Sequence, residues 1–332
     1  MRHSLCRAVR FEFSLKFLIK EVEIMSMDRL IEKISAMKNP TVAGLDPKLS
    51  YVPAYIRESF LSEFEDPLEG AAAALLEFNK GLIDALADIV PAVKPQAAYY
   101  EMYGWQGMKT LAETIAYAKS KGMFVITDGK RNDIGATMEA YAAAHLGCVD
   151  VDGAKAEPFG ADALTVNGYL GTDGISPLLE LCKTSDKGIF VLAKTSNKSS
   201  GELQDRLIDG RPVYEIMGEM CENWGRDTIG QYGYSAVGAV VGATYPEQLA
   251  ALREKLPHTF FLVPGYGAQG GGAKDVSYAF DANGLGAVVN SSRGIMCAYQ
   301  KSADRDEREY ARCAREEAIR MRDDILSCIT MK

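Results

Sequence analysis

Residues 104–133 read GWQGMKTLAETIAYAKSKGMFVITDGKRND, and they hold one complete structural unit. The Ala-rich first part, 104–121, has the pattern of a helix. The apolar run 123–128 (MFVITD) has the length of a buried strand, and it ends abruptly in charge. Outward from this unit the pattern repeats. Strand-length apolar runs stand at 41–46, 91–96, 123–128, 162–167, 188–194, 236–242, 259–263 and 286–290. Several are apolar throughout rather than alternating, as expected when both faces of a parallel strand are buried. Helical patterns fall at 68–89, 104–121, 137–147, 246–256 and 303–328. The first carries Leu75, Leu76, Phe78, Leu82, Leu86 and Ile89 at three- and four-residue steps. The strand–helix order predicts an α/β fold, a (β/α)8 TIM barrel. The competing layout is an open doubly wound sheet, and the absence of GxGxxG after the first strand argues against it.

Composition narrows the function. Of 332 residues, 37 are basic and 45 acidic, for a net charge of −8, which argues against a nucleic-acid partner. A hydrophobic share of 47% with 25% charged residues excludes a disordered or fibrous chain. Seven cysteines, an odd count without a CxxC pair, suggest reduced thiols in a cytoplasmic protein rather than a disulfide frame or zinc cluster. None of His3, His145 and His258 has a second His or a Cys at metal-ligand spacing, so no metal is expected. No apolar run reaches the ~20 residues that span a bilayer. Residues 1–24 stand apart. Their apolar pieces are broken by Glu12, Lys16 and Lys20, which excludes a secretory signal, and the acids Glu12, Glu21 and Glu23 do not suit a transit peptide. They are expected to be an N-terminal extension, disordered or upstream of the native start, ahead of one barrel domain over 25–332.

In a barrel the reactive groups stand at the C-terminal ends of the strands. Those ends read Gly44-Leu45-Asp46-Pro47, Lys94, Asp128-Gly129-Lys130-Arg131-Asn132-Asp133, Asn167, Lys194-Thr195-Ser196-Asn197, Pro264 to Gly272, and Asn290-Ser291-Ser292-Arg293-Gly294. Charges that interrupt apolar strands are costly to bury unless paired, so their recurrence at the strand ends points to an active site. On a strand, Asp128 and Lys130 share a side. With Asp133 and Lys94 they would form an alternating array that holds protonated lysines in place, and such a lysine can deliver a proton to a carbanion. The plainer alternative is a buried salt-bridge network at the barrel mouth. The glycine-rich segment 264–274 is read as a mobile loop that exposes backbone N–H groups. Together with Arg293 after the eighth strand, it suits a phosphate dianion.

These pieces resemble the orotidine 5′-phosphate decarboxylase family, in its longer bacterial branch. The matching segments are GLDP at 44–47, VKPQ at 93–96, DGKRNDIGAT at 128–137, AKTSN at 193–197, PGYGAQGGG at 264–272 and NSSRGI at 290–295. The resemblance implies decarboxylation of orotidine 5′-monophosphate to uridine 5′-monophosphate in pyrimidine biosynthesis. It implies no metal and no organic cofactor, and a homodimer with shared active sites. Position by position, Lys94, Asp128 and Lys130 would serve one subunit, with Asp133 reaching the partner's site and Thr137 near it. Asp46 would hold ribose hydroxyls and Ser196, or its neighbour Thr195, the pyrimidine. Gln269 and Arg293 would hold the phosphate. Two rivals remain: a Mg2+-dependent sugar-phosphate decarboxylase or synthase of the same barrel superfamily, and a catalytically silent phosphate-binding protein. The GLDP and Lys94 matches argue against the first, and the intact Lys94, Asp128, Lys130 and Asp133 set argues against the second.

Because the barrel pattern begins after Met25, deleting residues 1–24 should leave turnover and Tm nearly unchanged. A large loss of either would show that the extension packs on the barrel.

Overall fold

The computed structural model describes residues 26–267, 270–301 and 306–332; the N-terminal extension lies outside them. All eight apolar runs form strands of one closed parallel barrel. They are β1 Thr41–Leu45, β2 Ala92–Pro95, β3 Phe124–Arg131, β4 Ala163–Val166, β5 Gly188–Lys194, β6 Val237–Val241, β7 Phe261–Val263 and β8 Ala287–Ser291. Each pairs with its sequence neighbours, and β8 closes on β1 through Thr41↔Val289 and Val42↔Asn290.

The strands are largely apolar below their C-terminal ends because each alternates between two buried environments. Val42, Ala92, Phe124, Ile126, Ala163, Phe190 and Val288 fill the barrel interior. Ala43, Val93, Val125, Leu164, Val191 and Val289 pack outward against the helical ring, including Leu75, Phe78, Leu82, Leu111 and Ile115. This period of two sets the phase of the site, because a polar residue at a strand's C-terminal end points inward only if it continues the inner series.

The helical patterns at 68–89, 104–121, 137–147 and 246–256 correspond to helices Pro67–Leu86, Gly104–Ser120, Gly135–His145 and Pro246–Lys255. The first starts where Asp66 Oδ1 accepts from the Leu68 N–H at 2.9 Å with Pro67 at the first position. The last pattern begins later than expected. Its helix is Tyr310–Leu326, preceded by a 3-10 turn at Glu307–Glu309 in which Asp306 accepts from the Arg308 N–H. Helices at Ser26–Met37, Ala54–Glu63, Thr172–Thr184 and Val213–Gly225 were not anticipated, nor were two small hairpins, Val149–Val151 with Ala154–Ala156 and Leu207–Ile208 with Arg211–Pro212. Among the described residues, no helix is long and apolar enough to cross a membrane.

Helix Ser26–Met37 closes the N-terminal mouth of the barrel. Met27, Leu30, Ile31 and Ile34 pack on Phe124, Phe190, Phe260 and the other inward residues at the strand starts. Arg29 pairs with Asp162 at 3.1 Å and Asp186 at 2.5 Å, while Asp28 Oδ2 accepts from the Gln231 N–H at 3.0 Å. With this end sealed, the interior opens to solvent at the C-terminal end. Leu30→Ala should lower the unfolding free energy by about 2–5 kcal/mol in a denaturant titration, because it leaves a cavity in a plug that has little room to collapse. A change below about 0.5 kcal/mol, the size of an ordinary surface substitution, would show that the plug carries little of the barrel's stability.

Candidate active site

The C-terminal cleft has a volume of about 720 Å³. It is walled by strand ends and the loops that follow them. Gly44 lets two of these walls meet: a Cβ there would lie 2.0 Å from Ser292 Oγ and 3.0 Å from Asn290 Oδ1. No larger residue on β1 would allow the end of β8 to come so close.

Asp128 continues the inner series of Phe124 and Ile126, so its carboxylate points into the barrel, where it is buried. Lys94, in phase with the inward Ala92, donates to Asp128 Oδ2 at 2.5 Å and lies 4.0 Å from Asp46 Oδ1. Lys130 donates to Asp128 Oδ1 at 2.5 Å, and the Thr165 hydroxyl donates to the same oxygen at 2.8 Å. Burial alone would raise the Asp128 carboxyl, but the two ammoniums more than reverse it and hold the group well below the usual carboxylate range. Burial likewise opposes the charged form of Lys94, and Asp128 and Asp46 outweigh it, so its affinity for the proton rises. Asp128 and Lys94 are therefore both ionised at neutral pH, and each Asp128 oxygen accepts from a lysine.

Lys130 does not sit on a regular strand. Pairing between β3 and β4 shifts between Thr127↔Leu164 and Arg131↔Val166, and Lys130 takes a left-handed φ of 47°. The bulge is held by the Lys130 N–H donating to Thr165 Oγ1 at 3.0 Å. Thr165 thus fixes both the backbone and the carboxylate partner of Lys130. Sequence reasoning passed over it, although a hydroxyl on the inward phase of an apolar strand, after Ala163, was a legible signal.

Lys94, Asp128, Lys130, Asp46, Ser196 and Arg293 all line this cleft. Asp46 Oδ1 is buried without a hydrogen-bond partner, as is Asn290 Oδ1, a cleft residue read at the eighth strand end but given no role there. Thr195 also lines the cleft, but its hydroxyl donates to Asn197 Oδ1 at 2.6 Å and accepts from Gln204 Nε2 at 2.8 Å. Asp133 and Thr137 do not line the cleft of their own chain. Asp133 Oδ1 accepts from the Ile134 N–H at 2.8 Å, and Thr137 is exposed on the first turn of Gly135–His145. Gln269 lies outside the described residues. The glycine segment differs from the expected open array of N–H groups. Gly267 N–H donates to Gly271 O, Gly270 to Gly267 O, Gly271 to Gly265 O, and Gly272 to Asp275 Oδ2, so these donors are already used. The charge on Lys194 also fails to reach the cleft, for a reason of register given below.

A family model described as "Orotidine 5′-phosphate decarboxylase / HUMPS family" matches residues 73–306. The chain belongs to this family. A relative named orotidine 5′-phosphate decarboxylase from Rhodopirellula baltica is 48% identical over 288 residues, covering 86% of this chain and 93% of its own length. One of the same name from Clostridium tetani is 43% identical over 310 residues, covering 93% and 100%. The solved structure of Leishmania donovani OMP decarboxylase is 31% identical with a TM-score of 0.66, covering 90% of this chain and 99% of that one. The chain is accordingly an enzyme on the decarboxylase side of the family.

Thr165→Val keeps the volume and removes both hydrogen bonds. Turnover should fall about ten- to a hundredfold with the fold intact, the effect of losing a bond of about 1.5–3 kcal/mol to a charged group. Unchanged kinetics would mean that the two lysines orient Asp128 without it.

Proposed function

We propose that the chain converts orotidine 5′-monophosphate to uridine 5′-monophosphate and CO2 without a metal or organic cofactor, Lys130 donating the proton, in pyrimidine biosynthesis. The observation that carries this reading is the Lys130 ammonium, tethered to Asp128 at 2.5 Å yet facing the cleft. In the reaction the C6–carboxylate bond breaks and its electron pair stays on C6. Lys130 gives that carbon a proton, CO2 leaves, and the neutral amine recovers a proton from solvent. The carbanion has little resonance help, so the enzyme must favour the transition state over the substrate. A cation fixed beside C6 before reaction does so without reorganisation.

The remaining cleft suits the rest of the substrate. Asp46, whose Oδ1 makes no hydrogen bond within the chain, is an acceptor for ribose hydroxyls, and with Thr195 engaged, Ser196 is the hydroxyl available to the pyrimidine. Lys48, Lys94, Lys130 and Arg293 face only Asp46 and Asp128, so the described lining is cationic, as a substrate with a phosphate and a carboxylate requires. Arg293 takes the phosphate with Gln269. The array speaks against the Mg2+-dependent alternative, because a dication approaching Asp128 would meet two ammoniums already 2.5 Å from its oxygens.

A shared-site homodimer is part of the proposal. Neither Asp133 nor Thr137 lines the cleft of its own chain. Met102 and Trp105 after β2, Ile134 after β3, and Tyr169 and Leu170 after β4 are exposed apolar residues on the connections of three neighbouring strands, and they suit a second copy.

Pure protein given orotidine 5′-monophosphate and EDTA should show the ultraviolet change of decarboxylation. Activity that appears only after Mg2+ is added would support the metal-dependent rival. Lys130→Ala should lose nearly all turnover; retention within about tenfold, a barrier change of only ~1.4 kcal/mol, would assign the proton to another group. Mixing inactive Lys130→Ala with inactive Asp133→Ala should restore activity through a hybrid site with both wild-type residues. No recovery while subunits exchange would overturn the shared site.

A further inference from the structure

The charge at the end of β5 has no place in the chemistry above. Phe190 packs inside the barrel with Leu192 against it, and continued alternation would bring Lys194 inward too. Instead the pairing of β5 with β6 shifts by one residue, from Leu192↔Val240 to Lys194↔Val241, and Val241 belongs to the outer layer. The irregularity at Ala193 turns Lys194 away from the cleft and under the connection that follows β5. There it is 0% exposed. Its Nζ donates to Asp205 Oδ1 at 2.6 Å and to Ser200 Oγ at 3.1 Å, and lies 4.3 Å from the ring centre of Tyr245 and 5.6 Å from that of Tyr214.

We infer that Lys194 is a positioning residue that sets the base-recognition wall of the cleft by clamping the 195–205 connection; the inference rests on the decarboxylase reading above. The path is short. Asp205 follows Gln204, whose N–H donates to Ser200 O at 2.8 Å. Gln204 Oε1 accepts from the Thr195 N–H at 2.9 Å, and its Nε2 donates to Thr195 Oγ1. Thr195, Ser196, Asn197 and Gln204 are all cleft residues. The clamp thus occupies the Thr195 hydroxyl and leaves Ser196 to the ligand. On the other side, Ser196 packs on Gly242, where an added Cβ would lie 2.8 Å from Ser196 Cα.

The ion pair gives this contact direction rather than net stability, because the cost of burying Lys194 offsets much of its attraction to Asp205. Its Nζ is committed to Asp205 and Ser200, which holds the connection in one register, a constraint that an apolar side chain would not impose. Tyr245, just ahead of helix Pro246–Lys255, adds an aromatic face and ties the clamp to the next barrel unit.

The test separates the base from the rest of the nucleotide. Titrations of uridine 5′-monophosphate and ribose 5-phosphate are compared on wild type, Lys194→Met, Asp205→Asn and Gln204→Leu, with circular dichroism to confirm folding. Each variant should bind the nucleotide about tenfold more weakly and ribose 5-phosphate within about twofold of wild type, as expected for one misplaced hydrogen bond to the base. The double variant Lys194→Met/Asp205→Asn should be no weaker than Lys194→Met, because the two act through one contact. Equal weakening of both ligands, or of neither, would overturn the inference and reduce Lys194 to a packing residue. If Lys194→Met does not fold, Gln204→Leu carries the same comparison. Failure of the wild type to decarboxylate orotidine 5′-monophosphate would instead sink the proposed function.

Discussion

Asp128 carries its charge on the same inward phase as Phe124 and Ile126, at the top of an interior that is apolar below. A carboxylate left alone there would take up a proton rather than stay ionised. It stays ionised because three elements deliver partners to it: Lys94 from β2, Lys130 from the bulged end of β3, and Thr165 from β4. Each partner depends on strand register. Removing one leaves a buried charge short of compensation, and breaking a buried ion pair costs about 3–5 kcal/mol. Correct closure of the barrel and correct assembly of the site are therefore the same requirement on this side of the molecule.

The rest of the architecture keeps that cluster rigid and accessible from one direction. Helix Ser26–Met37 excludes water from below, so the field of the two ammoniums acts in a low-dielectric floor. Gly44 and Gly242 bring β8 and the β5 connection close enough to wall the cleft. Tyr266, at the start of the glycine segment, donates to Asp324 Oδ2 at 2.5 Å on the C-terminal helix. The segment is thus anchored at one end and braced by its own backbone hydrogen bonds.

The strands were legible because a barrel strand buried on both faces is an unbroken apolar run of characteristic length, and each run found here became a strand. Asp46, Lys94, Asp128, Lys130, Ser196 and Arg293 were legible as cleft residues from their strand-end positions, whereas Lys194, at an equivalent position, is buried away from the cleft. Helix Ser26–Met37 was missed because its partners, Phe124, Phe190 and Phe260, are far away in sequence, and a short amphipathic segment ahead of the first strand looks like any surface helix. Thr172–Thr184 was hidden by Pro177 within it. Thr165 was overlooked although its hydroxyl on the inward phase of β4 could have been read, and the pairing of the glycine loop's N–H groups was hidden by a composition that suggests exposure.

The two lysines at 130 and 194 mark the limit of reading side-chain direction from alternation. Both follow apolar strands, and simple period-two counting sends both inward. Each strand breaks register just before its lysine, with opposite results. On β3 the break places Lys130 in a left-handed conformation, a state that costs of order 1–3 kcal/mol and persists only where the surroundings enforce it. Thr165 and Asp128 supply that enforcement and keep the ammonium at the cleft. On β5 the break takes Lys194 out of the interior and buries it beneath a loop. A bulge is the one local device that can reverse a side chain's facing without changing the strand's place in the barrel. Two of them, set in strands on either side of β4, divide two identical cations between chemistry and scaffold. That division cannot be read from residue type or spacing, because it depends on how many residues the neighbouring strand places opposite each break.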